Sequence, residues 1–119
     1  MRVLVCEDNS LTLRSIEYVL KNAGFEVLMA IDGDQGIRIL DEQEVDLVIT
    51  DIVMPGRLLG TTLSAELRLL APDLPIIFMS GYAEEAFRKN LDTKEEFGFL
   101  PKPFSLKQLA AKVKDTLQA

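Results

Sequence analysis

The sequence predicts an α/β fold: a doubly wound parallel sheet covered by helices on both faces. Three observations lead there. Short apolar runs rich in β-branched residues recur at residues 3–6, 47–50 and 76–79, as strands buried on both faces require. Segments with apolar residues at helical spacing lie between them. Each run ends in polar or turn residues. Strands alternating with helices in this way wind into a parallel sheet through right-handed crossovers.

In chain order, the first strand covers 3–6 and runs at once into Glu7-Asp8-Asn9-Ser10. Asn9 or Ser10 caps a helix in which Leu13, Ile16, Leu20 and Ala23 recur at helical spacing, and Gly24 closes it. The second strand spans 25–31. Asp32-Gly33-Asp34 then turns into a short helix with Ile37 and Leu40 inward. After the strand at 47–50, Pro55-Gly56 turns the chain away, and a third helix places Leu63, Leu67 and Leu70 on one face before Pro72. The fourth strand, 76–79, ends at Ser80-Gly81, and a short helix at 84–89 follows. Residues 97–100 form the fifth strand, ahead of Pro101-Lys102-Pro103.

The last helix is the best signposted. Ser105 and Gln108 make a capping box, and Phe104 with Leu109 fits a hydrophobic staple. Leu106, Leu109, Ala110, Val113 and Leu117 form its buried stripe, with Lys107, Lys112 and Lys114 on a solvated face.

At 119 residues the chain reads as one domain, 1–119, large enough for a real core. It has no apolar run of membrane-spanning length and no signal-peptide pattern. One cysteine excludes an internal disulfide and fits a reducing cytoplasm; Cys6 reads as a small buried hydrophobe. A net charge of −6 argues against direct nucleic-acid binding and suits a cation or a basic partner. With no histidine, the chain offers neither a histidine base nor a histidine metal ligand.

In a doubly wound sheet, ligands bind beyond the carboxyl ends of the strands. That edge collects Glu7, Asp8, Asp51, Ser80 and Lys102. A lone aspartate at a strand end is as readily a helix cap or a turn residue; the acidic pair and the lysine at neighbouring strand ends favour chemistry. Two ionised carboxylates ~4 Å apart repel by about 4 kcal/mol at an effective dielectric of ~20, so one stays protonated or a cation neutralises them. Oxygen-only donors favour a hard ion, Mg²⁺ being the ready candidate. Lys102 supplies a point charge for a carboxylate or phosphoryl oxygen, and Ser80 a hydroxyl that donates to the same atom. A carboxylate nucleophile with these three partners has what acyl-phosphate formation requires.

Taken together, Glu7-Asp8 after the first strand, Asp51 with Met54-Pro55, Ser80-Gly81 and Lys102-Pro103-Phe104 resemble a receiver domain of two-component signalling. The resemblance spans nearly the whole chain. It implies the flavodoxin-like (βα)5 fold with strand order 2-1-3-4-5, and a cis Lys102-Pro103 bond. It further implies Asp51 as phosphoacceptor and Mg²⁺ held by Glu7, Asp8, Asp51 and the Val53 carbonyl. Ser80 and Lys102 would bind the phosphoryl group, and Phe99 matches the family's switch aromatic. The implied function is a phosphorelay switch, not an enzyme with an external product, although it catalyses its own phosphorylation and slow dephosphorylation. Its output surface would comprise the fourth helix, fifth strand and fifth helix. The partner would be a histidine kinase or a histidine phosphotransfer protein in the cytoplasm, with no membrane contact by this domain.

The stretches from Ser80 and from Phe99 are similar to receivers fused to the carboxyl end of hybrid sensor kinases, the alphaproteobacterial cell-cycle kinase type among them. The start of the chain close to the first strand fits a domain of that kind. Two positions depart from the family pattern: Leu59, where a small polar residue is common, and Gly36, where alanine is usual. A flavodoxin-like FMN-binding electron carrier is the alternative, but it needs a hydroxyl- and glycine-rich loop where Glu7-Asp8 stands. A haloacid-dehalogenase-type phosphatase needs a second aspartate where Val53 sits.

Overall fold

The computed structural model describes residues 1–51, 69, 73–80 and 98–118. Five strands, β1 (Arg2–Cys6), β2 (Glu26–Ala30), β3 (Leu47–Asp51), β4 (Ile76–Ser80) and β5 (Gly98–Pro101), form one sheet in the order β2-β1-β3-β4-β5. Every pairing is parallel. Three helices are described: α1 (Ser10–Asn22), α2 (Gly33–Glu42) and the carboxyl-terminal α3 (Leu106–Gln118). Apart from Leu69, which is helical and exposed, the helices expected around Leu63–Leu70 and at 84–89, and the loop with Leu59, lie outside the described residues.

Strand alternation divides the core in two. Leu4, Cys6, Val48, Ile76, Phe78 and Phe99 share one face, against which Ile37, Ile39 and Leu40 of α2 pack. Val3, Val5, Leu47, Ile49, Ile77, Met79 and Leu100 share the other, covered by Leu13, Ile16 and Leu20 of α1 and by Leu109 and Val113 of α3. Because both faces are covered, the central strands β1 and β3 are buried without interruption over 3–6 and 47–50, the runs the sequence pattern implied. β2 is an edge strand and only half-buried, with Met29 exposed.

Local signals set the helix ends. Asn9 is the α1 cap, its Oδ1 accepting from the Leu11 and Thr12 backbone amides. Gly24, at φ +95°, follows the Ala23 cap in the left-handed conformation that glycine adopts without a steric penalty. The Ser105–Gln108 capping box forms in both directions, with bonds of 2.8 and 3.1 Å. Phe104 packs on the same core face as Leu109, as the staple requires.

Two expected core positions are exposed instead. Leu106 is 47% accessible: as the first residue of α3 it precedes the turn that reaches the sheet. Ala23 is the α1 cap and lies past the last residue of the buried stripe.

Candidate functional site

Register assembles the site. Cys6 pairs with Thr50, so Glu7, one step beyond β1, falls beside Asp51. Asp51 pairs with Met79 and Ser80 with Pro101, which brings Lys102, one step beyond β5, to the same edge. Glu7 and Asp51 continue the alternation of Val5 and Ile49, so they belong to the face covered by α1 and α3.

The carboxylates of Glu7, Asp8 and Asp51 each offer an oxygen within 4.8 Å of the others. Lys102 Nζ donates to Glu7 Oε2 at 3.1 Å and forms an ion pair with Asp51 Oδ2. Glu7 is almost wholly buried, Asp51 partly accessible and Asp8 exposed. The Lys102-Pro103 bond is cis, as the resemblance implied.

Electrostatics follow from burial and pairing. Burial raises the Glu7 carboxyl above its usual range; hydrogen bonds from the Asn9 amide and Lys102 work against this, and the Asp51 charge adds to it. For Lys102, burial alone would lower the pKa, but the carboxylates of Asp51 and Glu7 outweigh it and hold the ammonium above its usual value. The ion pairs therefore keep Lys102 charged between two acids.

The three carboxylates form a hard, all-oxygen donor set around a partly open position, which fits a small divalent cation that keeps several waters. Cys6, next to Glu7 in the chain, is buried and takes no part; burial pushes its thiol up to about 12. Phe99 is buried in the α2-side core beside Phe78. Ser80 ends β4 at this edge, and Val53 lies outside the described residues.

Sequence reasoning missed one contact. The backbone amide of Asn9 donates to Glu7 Oε1 at 3.1 Å, so both Glu7 oxygens are held, one by Asn9 and one by Lys102. Backbone donors leave no side-chain signature. The only available signal was a capping residue two positions after a carboxylate.

A family model for the response regulator receiver domain matches residues 3–114. The sensor kinase CckA of Brucella abortus (strain 2308) is 47% identical over 118 residues, covering 98% of this chain and 12% of the kinase. The chain likewise spans about half the length of the next curated relatives it matches. Among solved structures, the receiver domain of the hybrid histidine kinase CckA superposes with a TM-score of 0.81 at 36% identity, covering 99% of this chain and 100% of that one. The receiver domain of sensor histidine kinase PA1611 from Pseudomonas aeruginosa PAO1, solved with a magnesium ion coordinated in its active site cleft, gives 0.87 at 27% identity, covering 99% and 98%.

Proposed function

The chain belongs to the response regulator receiver domain family, and on that premise we propose that Asp51 is the residue that accepts the phosphoryl group. A receiver is a phosphoacceptor of two-component signalling, and family membership selects this function over the flavin carrier. The observation that supports Asp51 is its place in the acidic cluster with the Lys102 ammonium paired to it. It is the cluster carboxylate that ends the central strand and stays accessible while Glu7 is buried.

Transfer moves the phosphoryl group from a phosphohistidine nitrogen to an Asp51 oxygen. The P–N bond breaks, the P–O bond forms, and the freed nitrogen takes up a proton. Glu7, Asp8 and Asp51, with the Val53 carbonyl, would hold a magnesium ion that neutralises charge gathering on the transferring oxygens. Lys102 shifts from Asp51 to a phosphoryl oxygen, an ion contact its long stem accommodates. The Ser80 hydroxyl donates to another, and water later attacks the acyl phosphate to reset the domain.

For output, we assign Ser80 and Phe99 as the switch. Phosphorylation adds roughly −1.5 to −2 charge, if an acyl phosphate resembles other phosphoryl groups, and draws Ser80 inward. Phe99, on β5, then repacks and reshapes the surface formed with the fourth and fifth helices.

The donor is a histidine kinase or a histidine phosphotransfer protein, with this domain free-standing or fused to a hybrid kinase. In support, the exposed Leu11 and Leu106 flank a groove of ≈ 510 Å³ beside Lys102, an apolar seat for a donor helix. Among the described residues no helix is long and apolar enough to cross a membrane, and we place the whole of 1–119, as one receiver domain, in the cytoplasm.

The decisive experiment is labelling with acetyl phosphate or a phosphohistidine donor. Label requires Mg²⁺ and disappears in Asp51→Asn. Persistent labelling of that variant overturns the assignment.

A further inference from the structure

The turn between β1 and α1 holds a closed circuit of hydrogen bonds that receiver chemistry does not by itself require. Asn9 Oδ1 accepts from the Leu11 and Thr12 amides at 3.1 Å each, and its carbonyl accepts from Leu13 at 2.9 Å. These bonds fix Asn9 in the extended cap conformation, φ −81° and ψ 115°. In that conformation its own amide donates to Glu7 Oε1. The Glu7 backbone amide is tied in turn to the Ala30 carbonyl at 3.0 Å.

Asp8 is the residue between these two anchors. It is exposed. Its carboxylate nevertheless sits within 4.8 Å of those of Glu7 and Asp51. The bond from Asn9 to Glu7 closes the short loop that carries it. Partners that orient metal ligands through hydrogen bonds contribute to affinity without touching the ion.

We propose that Asn9 is a positioning residue for the cation: its side-chain cap fixes the amide that orients Glu7, and so sets where Glu7 and Asp8 present their oxygens. This inference rests on reading Glu7, Asp8 and Asp51 as the cation site. Without the cap, the first turn of α1 frays, the Asn9 amide loses its direction, and Glu7 is held only by Lys102. Lys102 is the wrong sole partner, because its charge opposes a cation at the same oxygens.

The test is Mg²⁺ titration of the intact chain, followed by calorimetry and by the Asp8 and Asn9 amide resonances, with melting temperature recorded in parallel. The parent saturates with Mg²⁺. Asn9→Ala binds about tenfold more weakly, a loss typical of a removed orienting partner. Asn9→Ser, which restores a capping oxygen, returns to within about twofold of the parent. Asn9→Gly also lacks the capping oxygen but is tolerated at a helix start better than alanine; it follows the alanine variant in Mg²⁺ affinity and serves if that variant does not fold.

A melting temperature lowered in Asn9→Ala or Asn9→Gly with Mg²⁺ affinity within about twofold of the parent makes Asn9 a helix cap only and overturns the proposal. Loss of affinity in Asn9→Ser equal to that in Asn9→Ala also overturns it, since capping would then not be the cause. A parent that shows no saturable response to Mg²⁺ instead removes the cation site itself, a separate failure visible before any variant is made.

Discussion

Cys6 Sγ occupies the space that a Cβ on Gly36 would need: an ideal Cβ there would lie 2.9 Å from the sulfur. The two residues face each other between β1 and α2, where the family pattern has alanine in the helix. The sulfur thus fills the place of the missing methyl. Gly36→Ala gains about 1 kcal/mol of helix propensity but overpacks the core at a cost of about 1–3 kcal/mol. We expect that variant to be less stable than the parent. In a Cys6→Ala background the same change becomes stabilising. Urea denaturation of the four proteins of this cycle checks the reversal of sign; additive effects would show that the two residues do not share the space.

The buried thiol gives a pH dependence. Cys6 rises from 9.0 to about 12, mainly through burial; a hydrogen bond with Thr50 lowers it and the Asp32 charge raises it further. The folded state therefore holds the proton at pH values where the unfolded chain releases it. The stability this contributes is complete below about 9 and falls as pH rises toward about 12. The stability difference between parent and Cys6→Ala should shrink across that window. At pH 8 iodoacetamide should leave the folded chain untouched and modify it in urea. Rapid alkylation of the native protein would contradict the burial argument.

Replacing Lys102 by methionine leaves the Glu7 and Asp51 carboxylates facing each other without their shared cation. Stability in the presence of a chelator should drop by about 1–3 kcal/mol. Mg²⁺ should restore more of the loss than it adds to the parent, because it no longer competes with the ammonium. Thermal melts with and without Mg²⁺ decide this; an equal shift in both proteins would mean that the two cations do not compete. Asp8→Ala gives the opposite pattern. Removing the exposed acid leaves the fold intact or more stable while Mg²⁺ binding nearly disappears.

Leu109 and Leu106 lie one helical turn apart on α3, yet the first is fully buried and the second half exposed. Leu109→Ala should cost about 2–5 kcal/mol, as core truncations do, and Leu106→Ala less than about 1 kcal/mol. Chemical denaturation separates them. If Leu106 lies against a donor helix, its replacement should instead slow phosphotransfer from a protein donor and spare the reaction with acetyl phosphate.

How far the sequence carried these conclusions depended on range. The Ser105–Gln108 box was legible because its partners are three residues apart. The strands were legible because burial on both faces leaves uninterrupted apolar runs. Asp51 and Ser80 join the strand ends one residue beyond the apolar runs, because ladder pairing continues where apolar character stops. Helical spacing counted Leu106 and Ala23 as core because it does not register where the sheet ends beneath a helix. Lys102 could be placed beside Glu7 only through sheet topology and the family resemblance. Gly36 was visible as a departure, but its explanation needed the position of the Cys6 sulfur.

Lys102 and Glu7 are 95 positions apart in the sequence, and Asp51 lies near the midpoint between them. During synthesis, both acids leave the ribosome well before the lysine that pairs with them. The bridge closes only when β5 takes its place at the edge of the sheet. A nascent or half-assembled chain therefore presents the Glu7 and Asp51 carboxylates without the ammonium that pairs with both. If Asp51 and Lys102 act as proposed, competence to receive the signal would be conditional on completed folding, because the lysine joins the site only with the last strand.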